Sequence, residues 1–166
     1  MAHMREVFSF PRTVNEYAAR SVAAGVVVLC ATTLATGWHW LLVPLAYGFL
    51  ARVLTGPTLS PLGQLATRVV VPGLGLPDRP TAGAPKRFAQ AIGATLSTAA
   101  LISWLAGSTL AANVFVAMIL VAATLESALG FCLGCAIFAR LMKAGVIPED
   151  VCEDCADISR RLGAAA

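Results

Sequence analysis

Two long stretches of this chain carry no Asp, Glu, Lys or Arg: 31 residues between Arg20 and Arg52, and 38 between Arg87 and Glu126. A helix that crosses a membrane needs about 20 mostly apolar residues, so each stretch accommodates a pair of short helices joined by a turn. The breaks fall at the polar and aromatic positions. Gly37-Trp38-His39-Trp40 divides the first stretch, and its tryptophans suit a membrane–water interface. Ala106-Gly107-Ser108 divides the second. The pattern predicts an all-α membrane protein with four transmembrane helices, over about 19–36, 39–55, 88–106 and 111–138. A single membrane domain then covers 4–166, and Met1 to His3 read as a vector-derived leader; no cleavable signal peptide is expected.

The segments between and beyond the spans have patterns of their own. Thr13-Val14-Asn15-Glu16 reads as a capping box, with Thr13 as N-cap and Glu16 three residues on. Ser60-Pro61 reads as an N-cap followed by proline at the first helical position. Leu62, Leu65, Ala66, Val69 and Val70 then fall on one face, which predicts an amphipathic interfacial helix between spans 2 and 3. Pro72 ends it, and the Gly/Pro-rich run to Pro85 is a loop. In the tail, 139–166, the stripe Ile147, Val151, Cys155, Ile158 and Leu162 predicts a C-terminal amphipathic helix from about Pro148.

Composition agrees with a lipid environment. The chain is 58% hydrophobic and 13% charged, against about 45–50% and about 25% for a soluble domain. A net charge of +3 is too weak a signal for nucleic-acid binding. The distribution of charge says more than the total. All 12 Lys and Arg fall in the N-terminal segment, the central segment or the tail, and none in the two hairpin turns. The positive-inside rule places both termini and the central loop in the cytoplasm. Lys86-Arg87 reads as a headgroup anchor for span 3.

Chemistry concentrates in the cysteines. Cys132 and Cys135 form one Cys-x-x-Cys pair, Cys152 and Cys155 a second. On an unbroken fourth helix entered near Ala111, Cys132 lies about 31 Å along, at about 1.5 Å per residue, which places it near the cytoplasmic boundary beside the tail. Standing disulfides are not expected there. Two readings compete. The pairs act as exchanging dithiols, passing electrons or sulfur to a cytosolic partner. Alternatively, the Cys-x2-Cys-x16-Cys-x2-Cys spacing holds a structural zinc with four thiolates and clips the tail as a scaffold for a cytosolic partner. A third, transport of a small sulfur species, requires a homo-oligomer because four short spans make no monomeric pore.

Glu126 is the one acidic residue inside a predicted span. Such carboxylates are costly and are functional candidates by default. It reads either as a proton relay beside the thiols or as a group bonded to a neighbouring helix through Ser97, Thr98 or Ser103. Gly130-x-x-x-Gly134 reads as a close-packing face. Cys30 reads as a small core residue, and His39 as an interfacial side chain in the outer turn.

Several segments together resemble an uncharacterised family of small bacterial inner-membrane proteins, a domain of unknown function. They are Val14-Asn15-Glu16, 56–62, 84–90, Leu125-Glu126, Gly130-Phe131-Cys132-Leu133-Gly134-Cys135 and Cys152-Glu153-Asp154-Cys155. The resemblance implies a four-helix domain in the bacterial inner membrane. It draws attention to the four paired cysteines and Glu126, and implies a thioredoxin-like or sulfurtransferase partner. It implies no particular enzymatic activity.

Overall fold

The computed structural model describes residues 13–148 and is mostly helical. A short strand β1, Thr13–Asn15, leads into α1, Glu16–Thr36. A 3-10 turn at His39–Leu41 opens α2, Leu42–Thr55. The helical stretch α3 is built from Pro61–Leu65, a π-helical turn Ala66–Val70, and Val71–Gly73. Strand β2, Pro80–Ala82, precedes α4, Gly83–Leu105. Then come α5, Thr109–Leu129, and α6, Leu133–Lys143.

Three of these helices, α1, α4 and α5, are long and apolar enough to cross a membrane, which marks the chain as a membrane protein. No more than a third of each apolar window is buried within the bundle. Large apolar side chains such as Val28, Leu50, Ile102, Leu110, Val114 and Val121 therefore face outward, as a bilayer requires and water disfavours. The apolar stretch His39–Thr55 is shorter, and at about 1.5 Å per residue falls under the hydrocarbon thickness.

The bundle does not pair its helices in chain order. Helix α1 packs chiefly on α5, α5 on α4, and α4 on α2, while consecutive α1 and α2 barely touch. The shared core contains Val26, Cys30, Leu42, Phe49, Ala94 and Val116. Small residues permit the close crossings. A Cβ on Gly93 would lie 2.2 Å from the Phe49 ring, so the α2 aromatic rests directly on the α4 backbone. Cys30 is fully buried in this core, as a small core residue should be.

The turns fall where the polar and aromatic breaks predict. Gly37 ends α1 in the left-handed conformation with φ 72°, which glycine adopts without a Cβ penalty. His39 Nε2 lies 2.9 Å from Asn113 Oδ1 and its ring stacks on Trp104. The turn between α1 and α2 is thus latched to α4 and α5, a closer engagement than an interfacial side chain alone.

At the opposite end, two expectations need correction. Thr13 is not the N-cap of α1: Asn15 caps it, accepting a hydrogen bond from the Tyr17 N–H at 2.8 Å. Thr13 instead pairs with Ala82 in an antiparallel β1–β2 clasp, and Glu16 bonds Arg79 through its side chain at 3.1 Å rather than completing a box. The predicted span 111–138 is not one helix. Helix α5 stops at Leu129, Gly130 takes φ 68°, and α6 begins at Leu133.

The Ser60-Pro61 start of α3 stands as read, with Ser60 Oγ accepting from the Gly63 N–H. Its apolar face divides: Ala66 packs beneath Ala18 and Val22, while Leu65 and Val69 point outward. The tail helix predicted from Pro148 onward, with Cys152 and Cys155, lies outside the described residues.

Candidate functional site

The break between α5 and α6 builds the site. Gly130 and Phe131 turn back on α5, their N–H groups donating to Glu126 O and Leu125 O at 3.0 and 3.2 Å. The chain then re-enters a helix at Cys132, the N-cap of α6. Its sulfur accepts from the Cys135 N–H at 3.4 Å, satisfying one of the donors that every helix start leaves open. Both cysteines are free thiols and half-buried.

This placement separates the two thiols chemically. A side-chain hydrogen bond from the Cys135 thiol lowers the Cys132 pKa below the ordinary thiol value, against burial and the Glu126 charge; Lys86 and the Cys135 N–H add to the lowering. Cys135 is pushed the other way, first because its own thiol is the side-chain donor to Cys132 and then by burial. One sulfur is poised to be a thiolate and its partner to remain a protonated donor. A helix N-terminus favours this polarity.

Glu126 is not bonded to Ser97, Thr98 or Ser103. Ser97 Oγ donates to Ala94 O within its own helix. The partner of Glu126 is Lys86, whose Nζ lies 2.5 Å from Oε1 in a largely buried pair. This also corrects the reading of Lys86-Arg87 as a headgroup anchor: Lys86 turns inward, while Arg87 donates to Val53 O at 3.0 Å. The sequence hides this pairing because Lys86 and Glu126 are 40 positions apart.

Two further basic residues belong to the same end of the bundle. Arg20 of α1 donates to Ser127 O and Ala128 O at 3.0–3.3 Å, closing the C-terminus of α5. Arg52 of α2 is buried; its Nε donates to Gln90 Oε1 at 2.8 Å, its Nη1 to Ser60 Oγ at 3.3 Å, and its Cζ sits 4.5 Å from the Phe49 ring centre. Arg52 and Lys86 are buried residues at this end of the bundle that charge counting assigns to the central segment.

Gly134 brings α6 against α4. A Cβ there would lie 2.5 Å from that of Ala89. Of the Gly130-x-x-x-Gly134 face, Gly134 is the contact and Gly130 the turn. The result is a cavity of about 250 Å³ between α1, α2, α4, α5 and α6, lined mainly by apolar side chains with Arg52, Gln90, Glu126 and Cys132 on its wall. A second cavity of about 250 Å³ shares Arg52 and Gln90 and is bounded also by Asn15, Thr67 and Lys86.

The donor set for zinc is incomplete here. Among the described residues no group of three or more His, Cys, Asp or Glu is placed to hold a metal. Cys132 and Cys135 offer two of the four sulfurs, Glu126 is engaged by Lys86, and Cys152 and Cys155 lie outside the described residues.

The fold and site define a helical membrane protein with a dithiol at a helix start beside a buried ion pair. Residues 14–143 match the family model described as a domain of unknown function, DUF4395, and the chain belongs to that family. No curated protein and no solved structure matches it.

Proposed function

We propose that the protein is a thiol–disulfide or sulfur-handling protein of the bacterial inner membrane, with Cys132 as nucleophile and Cys135 as resolving thiol. The observation that carries this reading is the placement of two free thiols at the start of α6, with Cys132 as N-cap and its Sγ accepting from the Cys135 N–H at 3.4 Å; the lowered Cys132 and raised Cys135 agree with it. A low-pKa thiol at a helix N-terminus is the form that attacks disulfides. In the reaction, the Cys132 thiolate attacks one sulfur of a substrate disulfide and displaces the other as a thiolate. Cys135 then gives up its proton and attacks Cys132 Sγ, which forms the Cys132–Cys135 disulfide and releases the second substrate thiol. Two electrons pass from the protein dithiol to the substrate, and a dithiol partner of thioredoxin type restores the reduced pair. Glu126, held by Lys86, is the nearby carboxylate assigned to the Cys135 proton. The tail pair Cys152 and Cys155 relays to the cytosolic partner.

In this reading His39–Thr55 forms a short fourth span, and both termini with Cys132 face the cytoplasm. Support comes from the clustering of Arg20, Arg52 and Lys86 at the Cys132 end, in keeping with the bias of basic residues toward that side.

The test uses a chromophoric aryl disulfide on anaerobically purified protein in detergent, with Cys152 and Cys155 replaced by Ser. The chain with both Cys132 and Cys135 should release two aryl thiolates and close its own disulfide. The Cys135→Ser variant should stop at a Cys132 adduct. A stable adduct on the unaltered pair would overturn the reading. So would about one zinc per chain with all four thiols protected in the full protein, which is the expectation of the scaffold alternative.

A further inference from the structure

The buried Arg52 guanidinium bonds no carboxylate among the described residues; Glu126, which acts on it through space across the shared cavity, is already ion-paired to Lys86, so two buried cations share one carboxylate. The hydrogen bonds of Arg52 run to a neutral amide, Gln90, and a neutral hydroxyl, Ser60. Its contact with Phe49 is to a neutral ring. Among the described residues the ion pairs join Arg79 to Glu16 and Lys86 to Glu126, and Nη2 of Arg52 donates no hydrogen bond. Arg52 is only 5% exposed. Burying a cation with no carboxylate in hydrogen-bond contact, and with one carboxylate for two cations nearby, is among the costlier arrangements a protein can hold.

The second of the two cavities that Arg52 lines shows what would relieve that cost. Its wall carries Arg52, Lys86, Gln90, Asn15 and Thr67, and no Asp or Glu among the described residues. Asn15, Thr67 and Lys86 already donate to Asp78, Gly63 O and Glu126, while Arg52 Nη2 and Gln90 Nε2 donate no hydrogen bond among the described residues. The site's carboxylate, Glu126, borders the neighbouring cavity, which Arg52 also lines, and not this one. Gly56, Pro57 and Gly63 complete the wall, and a Cβ on Gly63 would lie 2.9 Å from Pro57 Cα. A volume of about 250 Å³ admits a small polyatomic anion with water. A guanidinium presents its donors in a fork that suits two oxygens of one oxyanion.

We infer that this cavity is an oxyanion site, with Arg52 as its principal ligand and Lys86 and Gln90 beside it, accepting a phosphate- or sulfate-type group. The oxyanion is either free in water or the headgroup phosphate of a lipid, since Arg52 ends a membrane-proximal helix. The site stands independently of the thiol reading.

Thermal unfolding of the full chain in a neutral detergent tests this. One arm adds sodium sulfate or phosphate against chloride at constant ionic strength. The other adds anionic phosphatidylglycerol against a zwitterionic lipid. At least one arm should raise the midpoint saturably, and which arm responds identifies the source of the oxyanion. Arg52→Gln should abolish the response. Arg52→Lys, which keeps the charge but loses the fork, should need at least about tenfold more ligand, a difference of about 1.4 kcal/mol. Gln90→Leu is the second variant should Arg52→Gln fail to fold, and it should weaken the response in the same direction. The Cys132→Ser/Cys135→Ser double variant should keep it, which separates this site from the exchange chemistry. No response in either arm, or an equal one with Arg52→Gln and Gln90→Leu, overturns the inference.

Discussion

Lys86 Nζ of α4 lies 2.5 Å from Glu126 Oε1 of α5, with 8% and 16% of the two side chains exposed. The pair sits one turn before the end of α5, at the level where Cys132 starts α6. A buried pair of this kind offsets two desolvation costs by mutual attraction, so removing one partner is far worse than removing both. Lys86→Met alone and Glu126→Leu alone should each lower stability by about 3–5 kcal/mol, while the double variant should lose much less than their sum. Denaturant unfolding in detergent over the four-member cycle measures this; strictly additive losses would refute it.

The two thiols should titrate apart. Cys132 is held below the ordinary thiol range, first by the Cys135 hydrogen bond and further by Lys86. Its thiolate therefore persists as pH falls below the ordinary thiol pKa and is lost only through the lowered value. Cys135 is raised, so it stays protonated as pH climbs past the ordinary value. Iodoacetamide labelling followed by peptide mass spectrometry should show Cys132 reacting well before Cys135 across neutral pH. Lys86→Met should move the Cys132 midpoint upward, because it removes a cation that favours the thiolate. An unmoved midpoint would assign the shift to Cys135 and the helix start alone.

What the sequence made legible was local. Gly37 and Ala106-Gly107-Ser108 end helices through their own backbone preferences, and Ser60-Pro61 starts one through its own cap. What it concealed depends on distant partners. Thr13 reads as the cap from local pattern, and pairing of β1 with β2, some 65 positions away, takes it into a strand and leaves Asn15 to cap α1. The apolar run through 129–138 continues the pattern of α5, so hydrophobicity cannot reveal that Gly130 turns the chain out of one helix and Cys132 begins another. Lys86 and Arg52 count as loop charges until the bundle closes around them. The cysteines of the site were evident from spacing; the cations that surround them were not.

Arg20 should matter to the same junction without touching a thiol. Its three hydrogen bonds to Ser127 O and Ala128 O occupy carbonyls that the end of α5 leaves open. Arg20→Ala should cost about 1–2 kcal/mol, and Arg20→Lys should recover only part, because a single ammonium cannot reach both carbonyls as the guanidinium does. Hydrogen exchange should locate the loss in residues 125–131. Protection unchanged there, with loss elsewhere, would contradict the capping role.

Gly130 and Gly134 flank Cys132 and should respond to alanine for different reasons. At Gly130 the backbone has φ 68°, and the nearest atom to an added Cβ is Glu16 Oε1 at 3.4 Å. The penalty is therefore conformational, about 1–2 kcal/mol, and α6 keeps its seat. At Gly134 the backbone is ordinary helix, but an added Cβ would fall 2.5 Å from Ala89 Cβ and 2.6 Å from Ala89 Cα. Neither atom is the end of a flexible side chain, so α6 must move away from α4, with a penalty of about 1–3 kcal/mol. That movement carries Cys132 away from Lys86. Gly134→Ala should therefore raise the pH midpoint of Cys132 alkylation, whereas Gly130→Ala should lower stability with little change in that midpoint. Ala89→Gly combined with Gly134→Ala restores the missing space and should return the midpoint toward its original value. A midpoint shifted by Gly130→Ala but not by Gly134→Ala would show that the turn, and not the packing of α6 on α4, sets the chemistry of Cys132.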